Sequence, residues 1–175
     1  MITTLYHGSK VNHRFKDELA NTFLATKLEF TNNAEYGGPN GVKYQVQVDL
    51  GKCFDSTNCN DIKLLYANKM RLTDPWLHAE TPLDFGDDDD DVGFPDNDLW
   101  EGFNPSRDYY KTAQAFCQSK TIKTSTWEAI EESVGVVDWI KQHYNSCLIL
   151  ERGFTNFIVF NKKSIKNVKL LTPKK

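Results

Sequence analysis

Nine consecutive residues, Val42-Lys43-Tyr44-Gln45-Val46-Gln47-Val48-Asp49-Leu50, alternate apolar and polar side chains without a break. Side chains on a strand point to opposite faces with a period of two, so this stretch predicts a strand with one face in a core. Such a strand cannot stand alone. It needs neighbours to complete its hydrogen bonds and a second layer to cover its apolar side. Ile2–His7, Thr22–Thr26, Cys147–Leu150, Phe157–Phe160 and Ile165–Leu171 are the candidates, all short and apolar enough to predict strands.

Between them lie helical stretches. Thr31-Asn32-Asn33 predicts the cap of a short helix carrying Ala34 and Tyr36, before the breaker cluster Gly37-Gly38-Pro39-Asn40-Gly41. Ile62–Met70 and Tyr109–Ser119 have helical composition. Thr126–Glu131 predicts a helix whose acidic first turn suits the helix dipole, and Val136–Ile140 continues with apolar residues on one side. Gly153 predicts a turn between two strands. A chain of 175 residues fits one α+β domain, hiding about 70% of its unfolded surface. It divides into residues 1–50, an unlike stretch 51–125, and an ordered end, 126–175.

Charge separates the middle from the rest. Residues 84–101 hold nine acids, Asp87 to Asp91 among them, and no Lys or Arg. Setting those nine aside leaves 21 basic residues against 15 acidic, a body of +6. Such a body suits an anionic cofactor or nucleic acid, while the acidic, aromatic-dotted segment 84–105 would attract a basic protein surface and repel nucleic acid. Cys53, Cys59, Cys117 and Cys147 form no CxxC pair and have no His at ligand spacing. Free thiols in a reducing compartment are therefore expected, and no metal site. Without a basic-then-apolar leader or a membrane-length apolar run, the expectation is a soluble cytoplasmic protein with no membrane partner.

Three spaced segments carry chemistry: Leu5-Tyr6-His7-Gly8-Ser9, Thr22-Phe23-Leu24-Ala25-Thr26, and Ala34-Glu35-Tyr36-Gly37. With Phe154-Thr155-Asn156-Phe157-Ile158-Val159-Phe160-Asn161 they resemble the ADP-ribosyltransferases of the His-Tyr-Glu class, which includes poly(ADP-ribose) polymerases and diphtheria-type toxins. Small phage-type transferases, including anti-CRISPR ones, look similar in running from an N-terminal His to a C-terminal strand. The resemblance covers residues 1–50 and 126–175. It implies two packed, mostly antiparallel sheets around an NAD cleft with peripheral helices. It also implies NAD as substrate, a macromolecular target, most simply a protein, and the host cytoplasm as location if the chain is phage-encoded.

Carried over, the family's roles fall on His7 for the adenine-side ribose, Gly8 for the nicotinamide carboxamide and Tyr36 for stacking on the nicotinamide ring. Ser9 and Thr26 become hydroxyl neighbours, and Phe23 stands where many relatives have Tyr. One departure matters: Asn156 stands where the family has its catalytic Glu. An amide can hydrogen-bond a ribose hydroxyl but brings no negative charge to an oxocarbenium-like transition state, a loss worth several kcal/mol in a water-poor site. Glu151, at the end of the preceding strand, is the substitute expected, because a turn at Gly153 brings it back toward Asn156. The expected catalytic set is thus His7, Tyr36 and Glu151, with Asn156 holding the cofactor. A non-catalytic binding module and an NAD glycohydrolase are the alternatives.

Overall fold

The computed structural model describes residues 2–10, 22–32, 38–74 and 109–171. Tyr36 and the acidic segment 84–105 lie outside the described residues. Among the described residues seven strands, β1 (Ile2–Ser9), β2 (Phe23–Ala25), β3 (Val42–Asp49), β4 (Cys53–Asp55), β5 (Ser146–Glu151), β6 (Phe154–Val159) and β7 (Ile165–Leu171), join in the order β4-β5-β6-β2-β1-β3-β7. Every pairing is antiparallel except β4 with β5. The predicted strands form within a few residues of their expected ends. β4 was not foreseen, since three residues are too few for alternation to register.

Two packed sheets were expected, and here the structure differs. The described strands are linked into one sheet, and its curl supplies the second layer. β4 lies at one edge and β3 next to the other, yet only Leu50-Gly51-Lys52 joins them. In a flat sheet that distance would be five strand spacings, roughly 24 Å, whereas four residue steps reach about 14 Å at most. The sheet must therefore bend until its ends approach. Asn145 pins the junction: its Oδ1 accepts from the Lys52 N–H at 3.1 Å, and its own N–H donates to the Lys52 carbonyl at 2.8 Å. Gly51 turns here at φ 57°, and a Cβ on it would stand 2.8 Å from that same Oδ1.

The curl gives each face a core. Leu5, Leu24, Val46, Val48, Phe157 and Val159 fill one. Cys147, Ile149 and Ile158, alternating with them along β5 and β6, fill the other with the helices. α1 (Cys59–Ala67) starts where the Asn58 side chain accepts from the Asn60 N–H at 2.9 Å, and buries Ile62 and Leu65. α2 (Ala113–Gln118) is capped by Thr112, whose Oγ1 accepts from the Ala115 N–H at 3.1 Å. α3 (Thr121–Thr124), α4 (Thr126–Glu131) and α5 (Val136–His143) complete the layer. Leu28–Asn32 forms a 3-10 turn, so Thr31 and Asn32 end a helical turn; the helix expected to follow lies outside the described residues.

One expectation is corrected. Cys59 and Cys117 are joined in a disulfide, while Cys53 and Cys147 are free. Packing of α1 on α2 brings the two Cα atoms to 5.8 Å, well inside the range a bridge needs. A sequence separation of 58 hid this. Among the described residues no helix is long and apolar enough to cross a membrane.

Candidate functional site

β5 and β6 are joined by two residues, Arg152 (φ 49°) and Gly153 (φ 80°), both left-handed as a tight hairpin requires. The hairpin pairs Glu151 with Phe154 and Ile149 with Asn156, so all four side chains share one face. On that face the Asn156 Nδ2 donates to Glu151 Oε2 at 3.1 Å. Both residues are buried, Asn156 completely. The amide orientation follows from chemistry, since its oxygen turned toward the carboxylate would be repelled. Asn156 Oδ1 is then left buried with no hydrogen-bond partner among the described residues.

A third group joins from α4. The Thr126 Oγ1 accepts from the Leu150 N–H at 2.7 Å, and the Gly153 N–H donates to the Thr124 carbonyl at 2.8 Å, fixing the start of α4 against the end of β5. Glu128 is thereby placed near Glu151, and its Oε2 is also buried with no hydrogen-bond partner among the described residues. Burial pushes the Glu128 carboxyl above its ordinary range, the Glu151 charge adds to this, and Arg152 opposes it. Sequence reasoning missed Glu128. Its only signal was an acid in a helix first turn, which equally describes an exposed residue.

Asn156 also pairs with Ala25 of β2, and Ala25 with Tyr6 of β1, so this face continues across the sheet. There Tyr6, Gly8, Phe23, Ala25, Phe30 and Thr31 line a narrow crevice with no room for a water molecule. Phe154 packs on Phe30 with ring centroids 5.0 Å apart, connecting the crevice to the hairpin. Trp127, beside Glu128, meets Phe23 edge-on at 5.0 Å. Gly8 and Phe23 are thus on one surface with Glu151 and Asn156.

His7 is placed differently. β1 and β2 share a single pair, Tyr6 with Ala25, and beyond it the imidazole spans the gap, Nδ1 lying 2.9 Å from the Phe23 carbonyl oxygen. Alternation along β1 turns its ring away from Tyr6 and Gly8, toward Tyr44 at 6.2 Å. Ser9 is half-buried at the end of β1, paired with Val42. Thr26 is exposed, its Oγ1 donating to the Thr155 carbonyl at 3.0 Å. Tyr36 lies outside the described residues.

What gathers here is a buried, acceptor-rich cluster. Beside the Glu151 carboxylate, the free end of Asn156 and the free end of Glu128 ask for donors: hydroxyls, an amide NH₂ or a cation. Comparison of the chain with protein-family models, with curated proteins and with solved structures gives no match.

Proposed function

We propose that the protein is a mono-ADP-ribosyltransferase that takes ADP-ribose from NAD and passes it to a protein target. The observation that carries this reading is the 3.1 Å contact between Asn156 and Glu151. It sets a carboxylate against the position where the resembled family has its Glu. The orphaned Asn156 Oδ1 and Glu128 Oε2 suit the hydroxyls of the nicotinamide-side ribose. On this reading Gly8, on the same face, meets the carboxamide through its backbone. The crevice is closed even to water, whereas a ligand site holds roughly 300–1,000 Å³, so on this reading Phe23 and Phe30 move aside when NAD enters.

In this mechanism Glu151 holds the ribose and offsets the positive charge that develops at its anomeric carbon as nicotinamide leaves. Asn156 orients Glu151 and accepts from a ribose hydroxyl. His7 fixes the separation of β1 and β2, and Tyr36 keeps the stacking role implied by the family resemblance. The acidic segment 84–105 contributes attraction to a basic protein surface.

Incubation with NAD labelled in both halves tests the proposal. Released nicotinamide with label on protein supports transfer, whereas free ADP-ribose as sole product identifies a glycohydrolase. Glu151→Gln should lower nicotinamide release by roughly 10²–10³ with little change in NAD affinity, as when one electrostatic contact is lost. Wild-type protein that neither binds NAD in calorimetry nor releases nicotinamide overturns the reading.

A further inference from the structure

The opposite end of β5 carries a second site of inverse chemistry. Where α5 ends and β5 begins, Lys141, His143, Asn145, Asn161 and Lys162, with the rings of Tyr144 and Phe160, line a hollow of about 420 Å³. That volume lies within the range of small-molecule sites. β5 runs six residues from Ser146 to Glu151, so the hollow is about 17 Å from the Glu151 cluster along the strand.

Its character is that of a donor site. The Asn145 oxygen is engaged by the Lys52 N–H at 3.1 Å, and the Asn161 oxygen by the Lys163 N–H at 3.0 Å. Each asparagine is thus held by its oxygen, and its NH₂ has no partner among the described residues. Lys141 and Lys162 add ammonium groups from two elements, and among the described residues none that lines the hollow is acidic. Lys141 Nζ lies 5.9 Å from the Phe160 ring centre, and Lys52 brings a further positive charge 4.4 Å from the Tyr144 ring. The carbonyl end of α5 alone would repel an anion, but the Lys141 ammonium in its last turn offsets that.

We infer that this hollow binds a phosphate group, with Lys141 and Lys162 neutralising its charge and the Asn145 and Asn161 amides donating to its oxygens. Paired ammonium groups and fixed NH₂ donors match the several acceptor oxygens of a phosphate, and neighbouring aromatic rings give an attached base or sugar a surface to lie on. The inference does not depend on the ADP-ribosyltransferase reading, since the two sites share no residue.

Titration of the ¹⁵N-labelled protein with inorganic phosphate at constant ionic strength tests it. The Asn145 and Asn161 side-chain amides and the Lys141–His143 backbone should shift together. The double variant Lys141→Gln, Lys162→Gln should weaken this at least tenfold, and Lys63→Gln with Lys169→Gln should leave it unchanged. These four lysines are exposed, so folding is not at issue. Adenosine monophosphate and a short single-stranded oligonucleotide separate the sources. Binding dominated by the oligonucleotide and falling steeply with salt identifies a phosphodiester backbone, and equal or stronger binding of the monophosphate identifies a free phosphate ester. Equal shifts with chloride, or unchanged phosphate binding by the double variant, overturn the inference.

Discussion

The side-chain amide of Asn156 donates to the carboxylate of Glu151 across 3.1 Å, and both groups are buried. A neutral donor beside a buried carboxylate is a stable arrangement. A second carboxylate in its place would not be, because like charges that close cannot both ionise. Asn156→Asp should therefore cost of order 3 kcal/mol at neutral pH. The new pair would bind a proton more tightly folded than unfolded. The variant should then regain stability relative to wild type as the pH is lowered from 7 to 5 in thermal melts, and a pH-independent deficit would contradict this.

Glu128 gives the native protein a similar sensitivity. Burial and the Glu151 charge raise its folded affinity for a proton above the ordinary 4.5. A carboxyl shifted in this direction favours folding while protonated, and that contribution is lost as the pH rises from 4.5 through the folded value. Glu128→Gln keeps the shape and removes the charge. It should melt higher than wild type at pH 7, with the difference closing toward pH 4. A difference constant with pH would mean that the side chain acts only by packing.

The hairpin that sets Glu151 against Asn156 rests on Gly153, whose φ of 80° an L side chain rarely adopts, although a Cβ there would meet nothing within 4 Å. Strain, not collision, is then the cost. Gly153→Ala should destabilise by about 1 kcal/mol, lowering the melting temperature by about 2–4 °C. On the proposed function, the variant should also lose NAD cleavage at temperatures where it remains folded.

The bridge between Cys59 and Cys117 closes a loop of sequence separation 58. Breaking it frees the unfolded chain, so Cys117→Ser should lose roughly 2–4 kcal/mol. Wild type in reductant should melt like the variant in air, and reductant should leave the variant unchanged. A reductant-insensitive wild type would show the two thiols unpaired in solution.

Short-range pattern made much of the fold legible. Alternation fixed β3 and its buried Tyr44, Val46 and Val48, and Gly153 marked the turn after Glu151. The approach of Glu151 to Asn156 was readable for the same reason. A two-residue hairpin sets the register, and register decides which side chains share a face. The positions of His7, Gly8 and Phe23 near one strand gap followed from spaced apolar segments, but the direction in which the His7 ring turns did not.

What the sequence determined by itself is where strands and turns begin, because backbone preference and side-chain periodicity are properties of neighbouring residues. Tertiary structure alone decided the rest. The sheet is one curled surface because Leu50-Gly51-Lys52 joins β3, next to one edge, to β4 at the other, where Asn145 holds Lys52 against the start of β5 from 93 residues away. Glu128 is near Glu151 because Thr126 ties α4 to β5, and Cys59 finds Cys117 because α1 packs on α2. Each of these contacts joins residues whose local patterns are complete without the other, and only the shared burial of distant surfaces brings them together.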